Sequence, residues 1–228
     1  MIQFILREGV VKMKKENLGS LLIVLFALLA TGVVLGANWI LNLDDFGATI
    51  LRLVPSAHLT TVFQVVSRIG NHVTLMIATM VIFGFFVLKK QLLMAFWFAG
   101  TMALSGTVVP FVLKYLFARP RPMDGLFTRT GYSFPSGHST GATVFYGLLI
   151  ALAFMLLKKQ WQKNLAATIC ASIVLLVLWA RVYLGFHFST DVLASLLLGS
   201  GQVLWSVALY QELAARGVRL PAFRTSLN

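Results

Sequence analysis

Four stretches of this chain each run for about 20 residues without a formally charged side chain: Leu18 to Leu41, Leu92 to Leu113, Ser139 to Leu157 and Val192 to Tyr210. A helix of that length crosses the hydrocarbon of a bilayer. It is also one of only two structures that carry a backbone through lipid with every N–H and C=O satisfied. Two shorter runs, Val73 to Leu88 and Leu165 to Ala180, lengthen at one end through uncharged or aromatic residues. The expectation is an all-α, polytopic membrane protein with six transmembrane helices in one bundle. An even number of spans puts both termini on the same side.

Composition agrees. Charged residues make up 11% of the chain and hydrophobic ones 58%, against about 25% charged in an average soluble domain. That excludes an ordinary soluble globule and a disordered chain. The formal net charge of +12 would suit nucleic acid if the basic residues lined one face. Instead they sit in short clusters between apolar runs, so no nucleic-acid partner is expected. Cys170 is the single cysteine, which rules out an internal disulfide and a cysteine-built zinc site.

The basic clusters also set the orientation. Arg7, Lys12, Lys14, Lys15, Lys89, Lys90, Lys158, Lys159, Lys163, Arg216, Arg219 and Arg224 fall on one side of the six spans. Arg52, Arg68, Lys114, Arg119, Arg121, Arg129 and Arg181 fall on the other. The more basic side is expected to face the cytoplasm, with both termini there. The first span is too long for the apolar core of a signal peptide, so an uncleaved anchor is expected. Met13 is an alternative start, and the first dozen residues are assigned no role. Asn42 to Asn71 mixes charges with an apolar stripe. It reads as one or two amphipathic segments at the outer interface, broken near Pro55. No repeat or linker divides the chain, so one domain is expected over 1–228.

Three polar clusters lie at span ends. Lys114, Arg119 and Arg121 occur in KYLFARPRP after the third span, and Ser136, Gly137 and His138 in FPSGHST before the fourth. Arg181, His187 and Asp191 occur in ARVYLGFHFSTD between the fifth and sixth. Alternating spans bring all three to one face. Three cations without a local excess of carboxylates suit a multiply charged anion, most naturally phosphate. A glycine turn opening a helix adds backbone N–H donors. His187 and Asp191 are four apart, so a carboxylate there can hold one ring nitrogen and leave the other as a nucleophile. His138 would supply a proton to a departing oxygen.

These clusters resemble the signature of the phosphatidic acid phosphatase type 2 superfamily, which includes vanadium haloperoxidases and glucose-6-phosphatase. The family pattern is K-x6-R-P, P-S-G-H and S-R-x5-H-x3-D. Lys114 with Arg121 and Pro122 matches the first part, Pro135 to His138 the second, and Arg181, His187 and Asp191 the third. One position departs, since Ala180 stands where the family has serine. The motif-bearing core is 114–191. The resemblance implies a phosphohistidine intermediate, turnover without metal or other cofactor, and an active site facing away from the cytoplasm. By position, it implies that His187 attacks phosphorus, Asp191 orients it and His138 protonates the leaving oxygen. Lys114, Arg121, Arg181, Ser136 and the Gly137 amide would bind the phosphate oxygens.

Plainer roles are expected elsewhere. Arg119 and Arg129 read as lipid anchors or rim residues, and His58 and His72 as interfacial residues. A metal site at His138 and His187 lacks a completing carboxylate cluster. Cys170 reads as inert packing, and Trp39 and Trp161 as members of the interfacial belt. The leading expectation is a lipid phosphatase of a bacterial inner or plasma membrane, working at the outer face. Its substrate would be a lipid phosphate such as undecaprenyl diphosphate, phosphatidylglycerophosphate or phosphatidate, and no obligate protein partner is implied. The alternative is a phosphotransferase that passes the group to an acceptor such as lipid A. A transporter is disfavoured, because the spans hold no ionisable residue away from their ends.

Overall fold

The apolar runs fold into long helices in the computed structural model, which describes residues 14–52, 56–123, 125–127 and 130–218. The expectations placed on Met1, Arg7, Lys12, Met13, Pro55, Arg129, Arg219 and Arg224 lie outside those residues. In chain order the helices are α1 (Lys15–Val34), α2 (Asn38–Leu51), α3 (Ala57–Ile69), α4 (His72–Leu88), α5 (Leu92–Phe117), α6 (Gly137–Leu156), α7 (Gln160–Tyr183) and α8 (Ser189–Ala215). Helices α1, α5, α6, α7 and α8 are each long and apolar enough to span a membrane. Helices α3 and α4 meet the same test only when taken together, as a pair bent by 41° at residues 70–71, so the described residues offer five spans, or six if that pair is one broken crossing. Leu28, Val81, Leu88 and Leu116 are each more than half exposed on the outside of the bundle. A surface of that kind belongs in hydrocarbon. The molecule is an all-α, multi-pass membrane protein.

The first span is shorter than hydropathy suggests. Helix α1 stops at Val34, where Gly36 takes a left-handed φ of +61°. The amides of Gly36 and Ala37 return to the carbonyls of Val33 and Gly32, a glycine stop that closes the helix within an apolar run. Trp39, Ile40 and Leu41 therefore begin α2. That helix turns Ile40, Asp44 and Gly47 inward. A Cβ at Gly47 would lie within 1.8 Å of the Ser189 hydroxyl, so only glycine lets α2 rest on the start of α8. The amphipathic region is thus two helices, of which α3 packs Phe63 on Trp179 and Tyr183 of α7.

Glycine sets the closest helix approaches. A Cβ at Gly19 would sit 3.1 Å from the Gly201 carbonyl, and one at Gly201 3.0 Å from the Gly19 carbonyl. The backbones of α1 and α8 therefore meet directly, as small residues permit in lipid. Helix α5 carries a π turn at Leu104–Val108 just before Pro110. Proline cannot donate to the carbonyl four residues back and its ring crowds that carbonyl, so a local widening relieves the conflict. The widened turn brings Gly106 against Gly141 of α6. The buried core runs through α4 to α8, from Leu75 and Phe98 through Val144 and Leu148 to Val177 and Val203.

Candidate active site

One end of the bundle collects the polar clusters. Helix α5 delivers Lys114 in its last turn, and Ala118, with φ +46°, ends the helix by returning its amide to the Lys114 carbonyl. Lys114 Nζ donates to the carbonyls of Tyr132 (2.8 Å) and Ser133 (3.2 Å). Ser133 closes the loop in turn, its amide bonding the Arg119 carbonyl and its hydroxyl the Pro120 carbonyl. Arg121 then reaches across. Its Nη1 donates to the Phe186 carbonyl at 2.7 Å and lies 3.3 Å from His187 Nε2.

Two helix ends placed back to back hold His187. Helix α7 ends at Tyr183 and the chain turns away at Gly185, with φ +73° and its amide on the Val182 carbonyl, while the Phe186 amide returns to the Arg181 carbonyl. A Cβ on Gly185 would fall 2.1 Å from Gly125 Cα, so the loop before α6 crosses here and glycine is required. Helix α8 begins at Ser189, and Asp191 Oδ2 accepts the Phe188 amide at 3.0 Å. The same oxygen lies 3.3 Å from His187 Nδ1. A proton on Nδ1 satisfies that contact and leaves the Nε2 lone pair facing Arg121.

His187 is 2% exposed and Asp191 wholly buried. Burial lowers the His187 pKa well below its usual value, and the charges of Arg181, Lys114 and Arg121 lower it further, with a hydrogen bond to the Ser133 backbone opposing them. The imidazole is therefore neutral at neutral pH. Arg181, in the last turn of α7, is itself buried. It donates Nη1 to Ser67 Oγ at 2.7 Å and lies over the Phe186 ring at 4.5 Å.

The start of α6 supplies the third element. Ser136 caps the helix through the Ser139 amide and receives the Ser139 hydroxyl at 2.9 Å, while its carbonyl accepts Ser195 Oγ. Ser136 is fully buried, so its hydroxyl orders the turn that presents the Gly137 amide. His138 follows, half-buried, and lines a cleft of about 550 Å³ with Gln64, Ser67, Arg68, Asn71, Phe127, Leu184 and Phe186. Contacts thus join Arg121, His187 and Asp191 directly, while Lys114 and His187 both bond the Ser133 backbone. Arg181 enters from the α3 side and His138 from the cleft. Among the described residues no three His, Cys, Asp or Glu side chains gather as a metal-ligand set.

Sequence reasoning passed over several members. Arg119, read as an anchor or rim residue, is neither. Its Nη1 bonds Asp191 Oδ1 at 2.7 Å and Thr190 Oγ1 at 2.8 Å, and its Nη2 pairs with Asp44. Asp44 Oδ1 also accepts the Thr190 amide and hydroxyl, each at 2.8 Å. Asp44, with 5% exposure, thereby ties α2 to the start of α8. The spacing of Ile40, Asp44 and Gly47 on one helical face was the available signal. Ala180, where the family has serine, is fully buried in a cluster with Phe63, Tyr183, Leu184 and Phe186. An apolar side chain suits that position.

A sequence profile described as the PAP2 superfamily matches residues 92–214, more than half of the 228 residues and all three clusters. The putative undecaprenyl-diphosphatase YbjG of Escherichia coli is 33% identical over 119 residues, 46% of this chain and 56% of that protein. Phosphatidylglycerophosphatase B of Bacillus subtilis is 40% identical over 93 residues, 39% of this chain and 44% of that protein. The chain spans about half the length of these curated relatives. A crystal structure of a transmembrane PAP2 type phosphatidylglycerolphosphate phosphatase from Bacillus subtilis matches with a TM-score of 0.69 at 27% identity, covering 89% of this chain and 98% of that one. Aquifex aeolicus LpxE shares the fold with a TM-score of 0.53 at 20% identity, over 72% of this chain and 92% of that one. With its profile match enclosing every cluster that builds the site, the chain belongs to the PAP2 superfamily.

Proposed function

We propose that this chain is a membrane lipid phosphatase that cleaves a phosphomonoester or diphosphate through a phosphohistidine on His187. The observation that carries the reading is the state of that residue. Asp191 holds Nδ1 at 3.3 Å, and Nε2 of the buried ring faces Arg121, with the charges of Arg181 and Lys114 also acting on it. Nε2 attacks phosphorus, the P–O bond to the lipid breaks, and the leaving oxygen takes a proton from His138. Water then attacks the phosphohistidine and gives a proton back to His138. The P–N bond breaks, and inorganic phosphate leaves. Lys114, Arg121, Arg181, Ser136 and the Gly137 amide stabilise the equatorial oxygens as charge spreads over them.

The opposite end of the bundle gathers Lys14, Lys15, Lys89, Lys90, Lys158, Lys159, Lys163 and Arg216 at helix ends, which supports a cytoplasmic position for that end and an outer position for the site. Undecaprenyl diphosphate and phosphatidylglycerophosphate are the substrates to try first, given the names of the relatives, with phosphatidate third. The test is phosphate release from these three by the purified protein in detergent. Release is expected to persist in EDTA and to be blocked by vanadate, which takes the five-coordinate geometry of the transferring group. Dependence on an added divalent metal overturns the mechanism. Release only when a second lipid accepts the phosphoryl group identifies a phosphotransferase instead.

The pH profile carries its own expectation. Catalysis needs neutral His187, and its pKa lies below the ordinary 6.5. Protonation therefore switches the nucleophile off only at more acidic pH. The acid limb of kcat/KM is expected to have its midpoint below pH 6.5. A midpoint at or above that value contradicts the assignment.

A further inference from the structure

His72 opens α4, at the 41° bend between α3 and α4. Its ring meets that of His138 edge to face, with centroids 5.2 Å apart and planes at 68°. Its Nε2 lies 3.1 Å from the point where a Cβ on Gly137 would stand, and Lys114 Cε lies 3.7 Å from the same point. The imidazole therefore fills the space that glycine leaves open at the start of α6. Asn71, whose Oδ1 accepts the Val73 amide at 2.9 Å, fixes the backbone from which the ring projects. The two rings come from different helices, so each restricts the rotation of the other. Glycine at 137 is what admits the second ring.

We propose that His72 is a positioning residue for the leaving-group step, holding the His138 imidazole aimed at the oxygen it protonates. The inference rests on the reading of His138 as the general acid. An acid aimed by a neighbouring ring delivers its proton along one direction, and a misplacement of about 1 Å costs on the order of 100-fold in rate. A leaving group that departs as a stable anion has no need of that proton, so the contribution of His72 depends on what leaves. A purely structural role has no such dependence.

The experiment uses the full chain in detergent with two substrates, phosphatidate and p-nitrophenyl phosphate. Phosphatidate releases a poor alkoxide, whereas p-nitrophenolate leaves unprotonated. Replacement His138→Ala is expected to slow phosphatidate more than the aryl ester by about 100-fold. Replacement His72→Ala is expected to slow phosphatidate more than the aryl ester by about 10-fold, in kcat rather than KM. The double replacement is expected to be no slower on phosphatidate than His138→Ala alone. His72→Gln, which keeps a flat polar group over Gly137, is expected to recover part of the loss. Vanadate inhibition within about threefold of the parent reports an assembled site in the two His72 single variants. Equal losses on both substrates for the His72 variants, or additive losses in the double variant, overturn the proposal. If His138→Ala itself shows no substrate dependence, the acid assignment has failed instead.

Discussion

Replacement His187→Ala is expected to lower lipid phosphate hydrolysis by about 10⁴-fold or more, since nucleophile and leaving-group steps act as a unit and losing the nucleophile forfeits both. The fold should survive. Asp191 Oδ2 keeps the Phe188 amide and Oδ1 keeps Arg119, so the carboxylate stays paired when the imidazole is gone. The caps that end α7 and begin α8 involve the His187 backbone no further than chain continuity. The cations proposed to bind the phosphoryl group also remain, so a substrate analogue should still bind. The decisive measurement is a quench with substrate labelled in the phosphate. The parent should carry label that is lost in acid and stable in base, as a phosphoramidate is, and the variant should carry none. A variant that turns over near the parental rate, or still becomes labelled, places the nucleophile elsewhere.

What could be read from the sequence, and what could not, follows from the range of the interactions. The spans were legible because hydrocarbon tests every residue of a segment alike, so a run of apolar side chains suffices. The three clusters were legible because their spacings place residues at span ends on one face. The end of the first span was not. Gly36 stops the helix inside an apolar run, and hydropathy does not register a turn among residues of equal polarity. His72 was set aside because its meaning lies in the ring of His138, far away in the sequence and brought near only by the packing of α4 on α6. Asp44 and Arg119 are 75 positions apart. Neither looks unusual alone, and only the approach of α2 to the start of α8 makes them a pair.

That pair leads to the second large effect. Arg119 lies between two buried carboxylates, with its side chain 12% exposed against 5% for Asp44 and none for Asp191. Asp44 has the Thr190 amide and hydroxyl besides the guanidinium, and Asp191 has the Phe188 amide and His187. Replacement Arg119→Gln leaves both negative charges buried with only neutral donors beside them. Breaking a buried pair from one side costs about 3–5 kcal/mol, far more than the pair is worth over a neutral substitute. Unfolding in detergent micelles should register a loss of that order. Activity should fall by about 100-fold as Asp191 and the ring it holds lose their alignment. The partner replacement Asp44→Asn removes one of the stranded charges. The double variant Asp44→Asn with Arg119→Gln is therefore expected to be more stable than Arg119→Gln alone, although it carries one more substitution. Its activity should stay low, because Asp191 still lacks the guanidinium that neutralised it. Recovery of stability without recovery of rate separates the two tasks of Arg119, docking α2 on α8 and holding the carboxylate behind His187. A single variant within about 1 kcal/mol and threefold of the parent would place Arg119 back among the headgroup anchors.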